Sequence, residues 1–432
     1  MPKTIVVLFT RDLRVHDHPA LAAAAADAEL VVPLFVLDST ILSSAHVSPN
    51  RVCFLVDSLR DLRRSLRSRG ATLVIRAGDP VEEAIRVADA TAASAVYVSA
   101  DVTAYATRRE RRLAAACQFT GRQLVCFPGV TVIPPADLRT HAGGHYRVFT
   151  PYWRAWRSRP WRSMAAAPLP LRLPPSLHRV GTIPAATQLV AGPRSARLRR
   201  GGEGEGRARM ENWLRSGIER YEQTHDDLAG TGTSHLGADL HFGCISPLEL
   251  AVRSAASEAG EAFLRQLCWR DFHHQVTQAF PAISSRDYRP RDHRWRHRPD
   301  LLELWKLGRT GVPIVDAAMR QLRAEGWMPN RARLITATFL VKTLGIDWRE
   351  GASHFLDWLC DGDIANNSGN WQWVAGTGND TRPNRRFNLM RQARRFDPEG
   401  AYVRRHVPEL RAIAGGAVHD LGVNPVSLIG PE

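Results

Sequence analysis

None of the six cysteines (Cys53, Cys117, Cys126, Cys244, Cys268, Cys360) stands in a Cys-x-x-Cys pair, which removes the usual spacing of zinc and iron–sulfur ligands and of a disulfide framework. They are read as reduced and mostly buried, and no metal is expected. No apolar run reaches membrane-spanning length; the nearest, Pro19 to Leu37, is broken by Asp27 and Glu29. The start, Met-Pro-Lys followed at once by Ile5-Val-Val-Leu-Phe9, has no signal-peptide shape. A soluble, cytoplasmic protein is therefore expected. No Gly-x-Gly-x-x-Gly follows that first apolar run, which excludes the usual dinucleotide fingerprint. No internal repeat is visible, and lysine is scarce beside arginine.

What is present begins with length: 432 residues suffice for two domains with substantial cores. A formal charge of +15 and a pI near 10.4 point to a polyanionic partner, DNA first and an anionic membrane surface second. Part of that charge is attributable to an arginine- and alanine-rich composition. Short apolar runs at Ile5–Phe9, Val31–Leu37, Thr72–Ile75, Ala95–Val98 and Gln123–Phe127 alternate with helical patterns such as Phe54, Leu55, Ser58, Leu59, Leu62 and Leu66. This alternation predicts a parallel sheet with helices on both faces over residues 1–130. Residues 131–207, rich in proline and ending in Arg199-Arg-Gly-Gly-Glu-Gly-Glu-Gly206, read as an interdomain linker. Those glycines follow no strand, so they carry little weight as a phosphate loop. Residues 208–432 read as helical.

The richest stretch is Asp361-Gly-Asp-Ile-Ala-Asn-Asn-Ser-Gly-Asn-Trp-Gln-Trp373. Asp361 and Asp363 can accept hydrogen bonds, Asn366 and Asn367 can donate and accept, and Trp371 and Trp373 offer stacking faces and electrons. A flavin with an adenosine tail needs all three. The alternative is an Asx-rich loop ahead of a core helix.

Around it lie Gly326-Trp-Met-Pro-Asn-Arg-Ala-Arg333, Phe339-Leu-Val-Lys-Thr-Leu-Gly-Ile-Asp-Trp-Arg-Glu350, Phe387-Asn388, Gln392 and Phe396-Asp-Pro-Glu-Gly400. Farther upstream stand Thr10-Arg-Asp-Leu-Arg14, Phe149-Thr-Pro-Tyr-Trp-Arg-Ala-Trp156, Thr233-Ser-His-Leu-Gly237 and Phe242-Gly-Cys-Ile-Ser-Pro247. Over nearly the whole chain this pattern resembles the photolyase/cryptochrome family of blue-light flavoproteins, and most closely the class I cyclobutane pyrimidine dimer photolyases.

The resemblance implies a doubly wound α/β domain with a parallel sheet that holds an antenna chromophore, followed by a larger all-α FAD-binding domain. It implies flavin contacts from Tyr221, Thr233, Ser234, His235, Leu236, Gly237, Phe263, Arg270, Asn330, Arg333, Asp361, Asp363 and Asn367. Asn367 would face flavin N5, with Arg333 and Asp361 as an ion pair beside the ring. Independently of the family, Thr and Ser hydroxyls at a helix start suit a pyrophosphate or serve as a plain cap. Trp371, Trp348 and Trp295 occupy the places of the family's photoreduction chain, while Trp305, Trp327 and Trp358 read as core. Trp269, Arg331, Leu334, Trp373 and Gln392 correspond to DNA-facing positions, and Gln266, Trp269, Asn330 and Asn367 to the catalytic group.

Several positions depart from the pattern. Gln266 stands where cyclobutane-dimer enzymes carry Glu and six-four photolyases carry Gln. Met328-Pro329-Asn330 has no histidine for six-four chemistry, Leu334 replaces a Met, and His225 replaces an Arg. Thr107-Arg-Arg-Glu110 lacks the folate-type antenna signature, which leaves a deazaflavin, another flavin or no antenna. The implied activity is electron transfer from light-excited reduced FAD to a flipped-out cyclobutane dimer in damaged DNA, by a monomer. The alternatives are a cryptochrome-like light sensor without repair activity, and six-four repair.

Overall fold

The computed structural model describes residues 2–379 and 388–421, so Phe387 lies outside the described residues. It forms two compact units. One comprises Met1–Gly192, Arg200–Arg215 and Ser234–Pro281; the other comprises Pro193–Arg199, Ser216–Thr233 and Ala282–Glu432.

The first unit holds a five-stranded, fully parallel sheet of Thr4–Phe9 (β1), Leu30–Asp38 (β2), Val74–Gly78 (β3), Ala95–Ser99 (β4) and Gln123–Phe127 (β5), in the order β3-β2-β1-β4-β5. Val6 lies opposite both Val32 and Val96, which sets the register. The central strands are unbroken apolar runs because both of their faces are buried. Val6 and Leu8 pack with Val81, Ala84 and Val87 of helix Pro80–Ala90 and with Leu113 of helix Ala104–Phe119. Ile5, Val7 and Phe9 alternate to the opposite face and are equally buried. Helix starts are fixed locally: Asp79 accepts from the Val81 and Glu82 amides, with Pro80 following it.

Residues 131–207 are not a bare linker. Phe149, Tyr152, Trp153 and Trp156 recur at helical spacing, and burying that stripe forms helix Phe149–Ser158 within the first unit. The proline-rich part then lies along the sheet: the Val31 amide donates to the Arg172 carbonyl at 2.8 Å and the Ile75 amide to the Val180 carbonyl at 2.8 Å. Gly201 and Gly202 serve close packing, since a Cβ on Gly201 would stand 2.3 Å from the Phe54 carbonyl oxygen. Residues 234–281, expected with the helical domain, also belong to the first unit.

The second unit is helical around one aromatic-rich core that includes Trp305, Phe339, Trp348, Phe355, Trp371 and Tyr402. Trp305 is fully buried and its indole N–H donates to the Thr336 carbonyl at 3.1 Å, in keeping with a core role. Buried Gln372 ties helix Ile364–Ala375 to the distant segment 283–288. It donates to the carbonyls of Ile283 (2.7 Å) and Arg286 (3.0 Å) and accepts from the Tyr288 amide (2.8 Å). Four cysteines are buried, Cys53 is half-buried and Cys126 is exposed; all six are free thiols. Among the described residues no helix is long and apolar enough to cross a membrane.

Candidate functional site

The second unit contains an open pocket lined by Asn330, Arg333, Leu334, Phe355, Asp361, Asn366, Asn367 and Trp371, among others. Three helices position these groups. Asn330–Thr338 starts directly after Pro329 and carries Asn330, Arg333 and Leu334 on one side, at i, i+3 and i+4. Ile364–Ala375 is capped by Asp363, whose carboxylate accepts from the Asn366 amide (2.9 Å) and the Asn366 side chain (2.7 Å). Trp348–Trp358 contributes Phe355 and allows Trp371 in at Gly351, where a Cβ would come within 2.1 Å of the indole.

At the pocket wall Arg333 Nη2 donates to both Asp361 oxygens, at 2.8 and 3.1 Å, and Arg333 Nε donates to the Met328 carbonyl at 3.0 Å. The Asp361 side chain is 9% exposed and that of Arg333 25%, so the pair is strengthened by a partly dry setting. Asn367 is buried and donates through Nδ2 to the Ala352 carbonyl at 3.0 Å. That bond orients the amide. Apolar Leu334, Phe355 and Trp371 complete the wall.

The three photoreduction candidates belong to this unit's core, Trp371 and Trp348 buried and Trp295 partly buried against it. Trp371 meets Phe355 edge-on at 4.9 Å and Trp305 at 6.1 Å. The Trp348 indole donates to Asp287 Oδ1 at 2.9 Å, and Trp295 stacks on His293 at 4.6 Å.

Arg331 and Gln392 are brought together, with Arg331 Nη1 3.5 Å from Gln392 Oε1. The guanidinium also pairs with Asp226 and lies 4.3 Å over the Phe396 ring. Asp226 was not singled out from the sequence, where an acid beside His225 carries no distinguishing spacing. Trp373 is partly buried against the core. Tyr221 is buried, with its ring 4.9 Å from His225. Thr233 ends that segment of the second unit.

The first unit carries the other candidates. Ser234 Oγ accepts from the Leu236 amide at 3.4 Å, and His235 holds φ at 54°, a strained left-handed backbone for a non-glycine residue. Leu236 is buried, and Gly237 opens the short helix Gly237–Phe242. Helix Glu261–Ala279 buries Phe263, Leu264, Leu267 and Phe272. The same helix leaves Gln266 exposed and Trp269 half-buried. Arg270, expected to face flavin or phosphate, donates to the carbonyls of Val130 (2.6 Å) and Leu240 (3.3 Å). Trp269 lies flat on Phe149, with ring centroids 3.7 Å apart and planes 3° apart, and Arg265 sits 5.3 Å over the far ring. Phe149 was visible only as part of a motif; its partner is 120 residues away.

A parallel α/β sheet in one unit and a helical second unit with an amide-, carboxylate- and guanidinium-lined pocket make a two-unit fold with a polar ligand site. "FAD binding domain of DNA photolyase" matches residues 263–427 and "DNA photolyase" matches residues 5–173. The deoxyribodipyrimidine photo-lyase of Streptomyces griseus is 49% identical over 419 residues, covering 96% of this chain and 91% of the relative. The cryptochrome DASH of Gloeobacter violaceus is 35% identical over 445 residues, covering 97% and 88%. Among solved structures, an archaeal photolyase from Sulfolobus tokodaii with two FAD molecules superposes with a TM-score of 0.87 at 29% identity, covering 97% of this chain and 93% of that one. The chain belongs to the photolyase/cryptochrome family, and its cofactor is FAD. The chemistry of the pocket lining fits such a group, with amides, a carboxylate and a guanidinium able to serve polar ring atoms and Leu334, Phe355 and Trp371 able to cover apolar ones.

Proposed function

We propose that the chain is a light-dependent DNA-repair lyase that splits cyclobutane pyrimidine dimers, acting as a monomer on DNA in the cytoplasm. The observation that carries this is on helix Glu261–Ala279, where exposed Gln266 and half-buried Trp269 stand three residues apart on one face. An amide beside an indole suits a flipped-out lesion that offers carbonyl acceptors and a ring face.

When bound, FAD supplies the light-excited electron. The residues supply everything else. Asn330, Asn367 and the Arg333–Asp361 pair hold the ring's polar edge, and Leu334, Phe355 and Trp371 keep water from its body. Trp269 stacks on a base of the dimer. Gln266 donates a hydrogen bond to a thymine carbonyl, where negative charge accumulates during splitting; only such interactions that strengthen toward the transition state raise the rate. A neutral amide offers ~0.5–1.5 kcal/mol here, against ~1.5–3 for a charged partner. Trp371, Trp348 and Trp295 return oxidised cofactor to its active form, and Arg331, Gln392 and Trp373 contact DNA. A second chromophore of flavin or deazaflavin type rather than folate is supported by the missing folate signature.

A cryptochrome-like sensor is the second reading, favoured by one feature: Gln266 stands where cyclobutane-dimer enzymes carry Glu. Duplexes carrying one cyclobutane or one six-four lesion, incubated with the reduced protein in blue light and in the dark, separate the alternatives. Repair confined to the cyclobutane duplex in light is expected; failure on both while reduced FAD stays bound favours the sensor.

A further inference from the structure

Beside the surface end of the proposed tryptophan path stands a histidine with no part in that path. His293 and Trp295 are two residues apart, with ring centroids at 4.6 Å and planes at 28°. Backbone bonds hold their segment in place. The Arg296 amide donates to the Gly345 carbonyl at 2.8 Å and the Arg289 amide to the Thr377 carbonyl at 2.7 Å, while Gln372 Oε1 accepts from the Tyr288 amide. Trp295 is thereby pressed against the core, and His293 Nε2 is buried with no hydrogen-bond partner among the described residues.

The charged groups around the imidazole come from two elements. Lys342, from segment Phe339–Thr343, directs its ammonium to the Ala375 carbonyl at 2.9 Å. Asp287, Arg291 and Asp292 belong to the histidine's own loop, and Asp287 is already engaged by the Trp348 indole (2.9 Å) and by Arg349 (2.7 Å). Burial first, then Lys342, hold His293 below the usual histidine range, with Asp287 opposing. The ring is therefore neutral at pH 7 and becomes cationic only in acid.

We propose that His293 is a positioning residue for photoreduction: stacked on Trp295 as a neutral ring it lets the oxidised indole persist, and as an imidazolium it drives the electron back. The proposal rests on the electron path Trp371, Trp348 and Trp295. In each turnover Trp295 loses one electron, which passes through Trp348 and Trp371 to the flavin. The oxidised indole releases its N–H proton to water and regains an electron and a proton from a thiol in solution. A positive charge at stacking distance from an oxidised ring, in a partly dry setting, disfavours that state by about an order of magnitude or more.

The test is the initial rate of FAD reduction under blue light with excess dithiothreitol, followed by flavin absorbance from pH 8 down to pH 5, for wild type, His293→Phe, His293→Ala and Trp295→Phe. Wild type should slow about tenfold on acidification, with an inflexion below the ordinary histidine value of ~6.5. His293→Phe, which keeps an aromatic stack, should match wild type at pH 8 and lose the inflexion; His293→Ala separates the loss of stacking from the loss of titration. An unchanged pH profile in His293→Phe, while Trp295→Phe blocks reduction, overturns the role of His293 alone. Unimpaired reduction in Trp295→Phe overturns the electron path and the inference with it.

Discussion

Asp361→Asn keeps the shape of the carboxylate and removes its charge from a pair in which Arg333 Nη2 reaches both oxygens, at 2.8 and 3.1 Å. Breaking a well-buried pair typically costs ~3–5 kcal/mol, and losing one charged hydrogen bond ~1.5–3. Arg333 is a quarter exposed and keeps its Nε bond to the Met328 carbonyl, so the lower range applies. A loss of about 2 kcal/mol weakens FAD binding roughly 30-fold. Titrating the apoprotein with FAD and following flavin fluorescence measures this directly, and a urea midpoint on the same samples separates lost affinity from lost folding. Asp27→Ala is the comparison: it forfeits a 2.7 Å bond from the Tyr97 hydroxyl in the first unit and no pocket group. Affinity within twofold of wild type for Asp361→Asn, or an equal loss in Asp27→Ala, would refute the assignment of the pair to the cofactor.

Trp371→Phe should stop light-driven reduction of oxidised FAD yet leave repair by chemically pre-reduced protein largely intact; unchanged photoreduction would require the path to be redrawn. DNA affinity should fall steeply with salt, each phosphate contact adding about one unit to the log–log slope. Arg331→Ala should lower that slope by less than one unit, because Asp226 already neutralises part of the guanidinium charge. Acid should destabilise the fold through His354, which burial first, then Lys306 and Arg323, push down to about 3. The unfolded chain binds that proton from ~6.5 downward and the folded one only near the depressed value, so stability declines as pH falls through this window, by ~1.4 kcal/mol per pH unit for one proton. Urea midpoints at pH 7.5, 6 and 5 should show the decline, and His354→Phe should flatten it by about one proton.

The sheet was largely legible because parallel strands buried on both faces read as plain apolar runs. The Gln123–Phe127 run coincides with β5, and Ile5–Phe9 misses only Thr4 of β1. The third run was placed too early, at Thr72–Ile75, because β3 is an edge strand: Arg76 interrupts the apolar pattern, and its guanidinium turns out to the Arg179 carbonyl. The pocket was legible where chemistry clusters in sequence, as in Asp361, Asn366, Asn367 and Trp371. What stayed hidden depends on distant partners. The carboxylate of Glu203 accepts from the Val15 amide at 2.8 Å and the His16 amide at 3.0 Å, and nothing in the local glycine-rich sequence announces it. The Phe149–Trp269 stack is of the same kind. A linker composition likewise concealed helix Phe149–Ser158, since prolines on either side of a helical stripe do not prevent its burial.

The central claim, cyclobutane repair, is tested most directly at Gln266, which is exposed on its helix. The measurement is the initial rate of dimer splitting in blue light, with pre-reduced wild type and Gln266→Glu on a duplex bearing one cyclobutane thymine dimer. Replacing a neutral donor by one that can share a proton with the charged lesion is worth about one decade in rate. Slow, light-dependent repair by wild type, accelerated about tenfold in Gln266→Glu, is predicted. No splitting by either protein, with reduced FAD retained in both, would contradict the account.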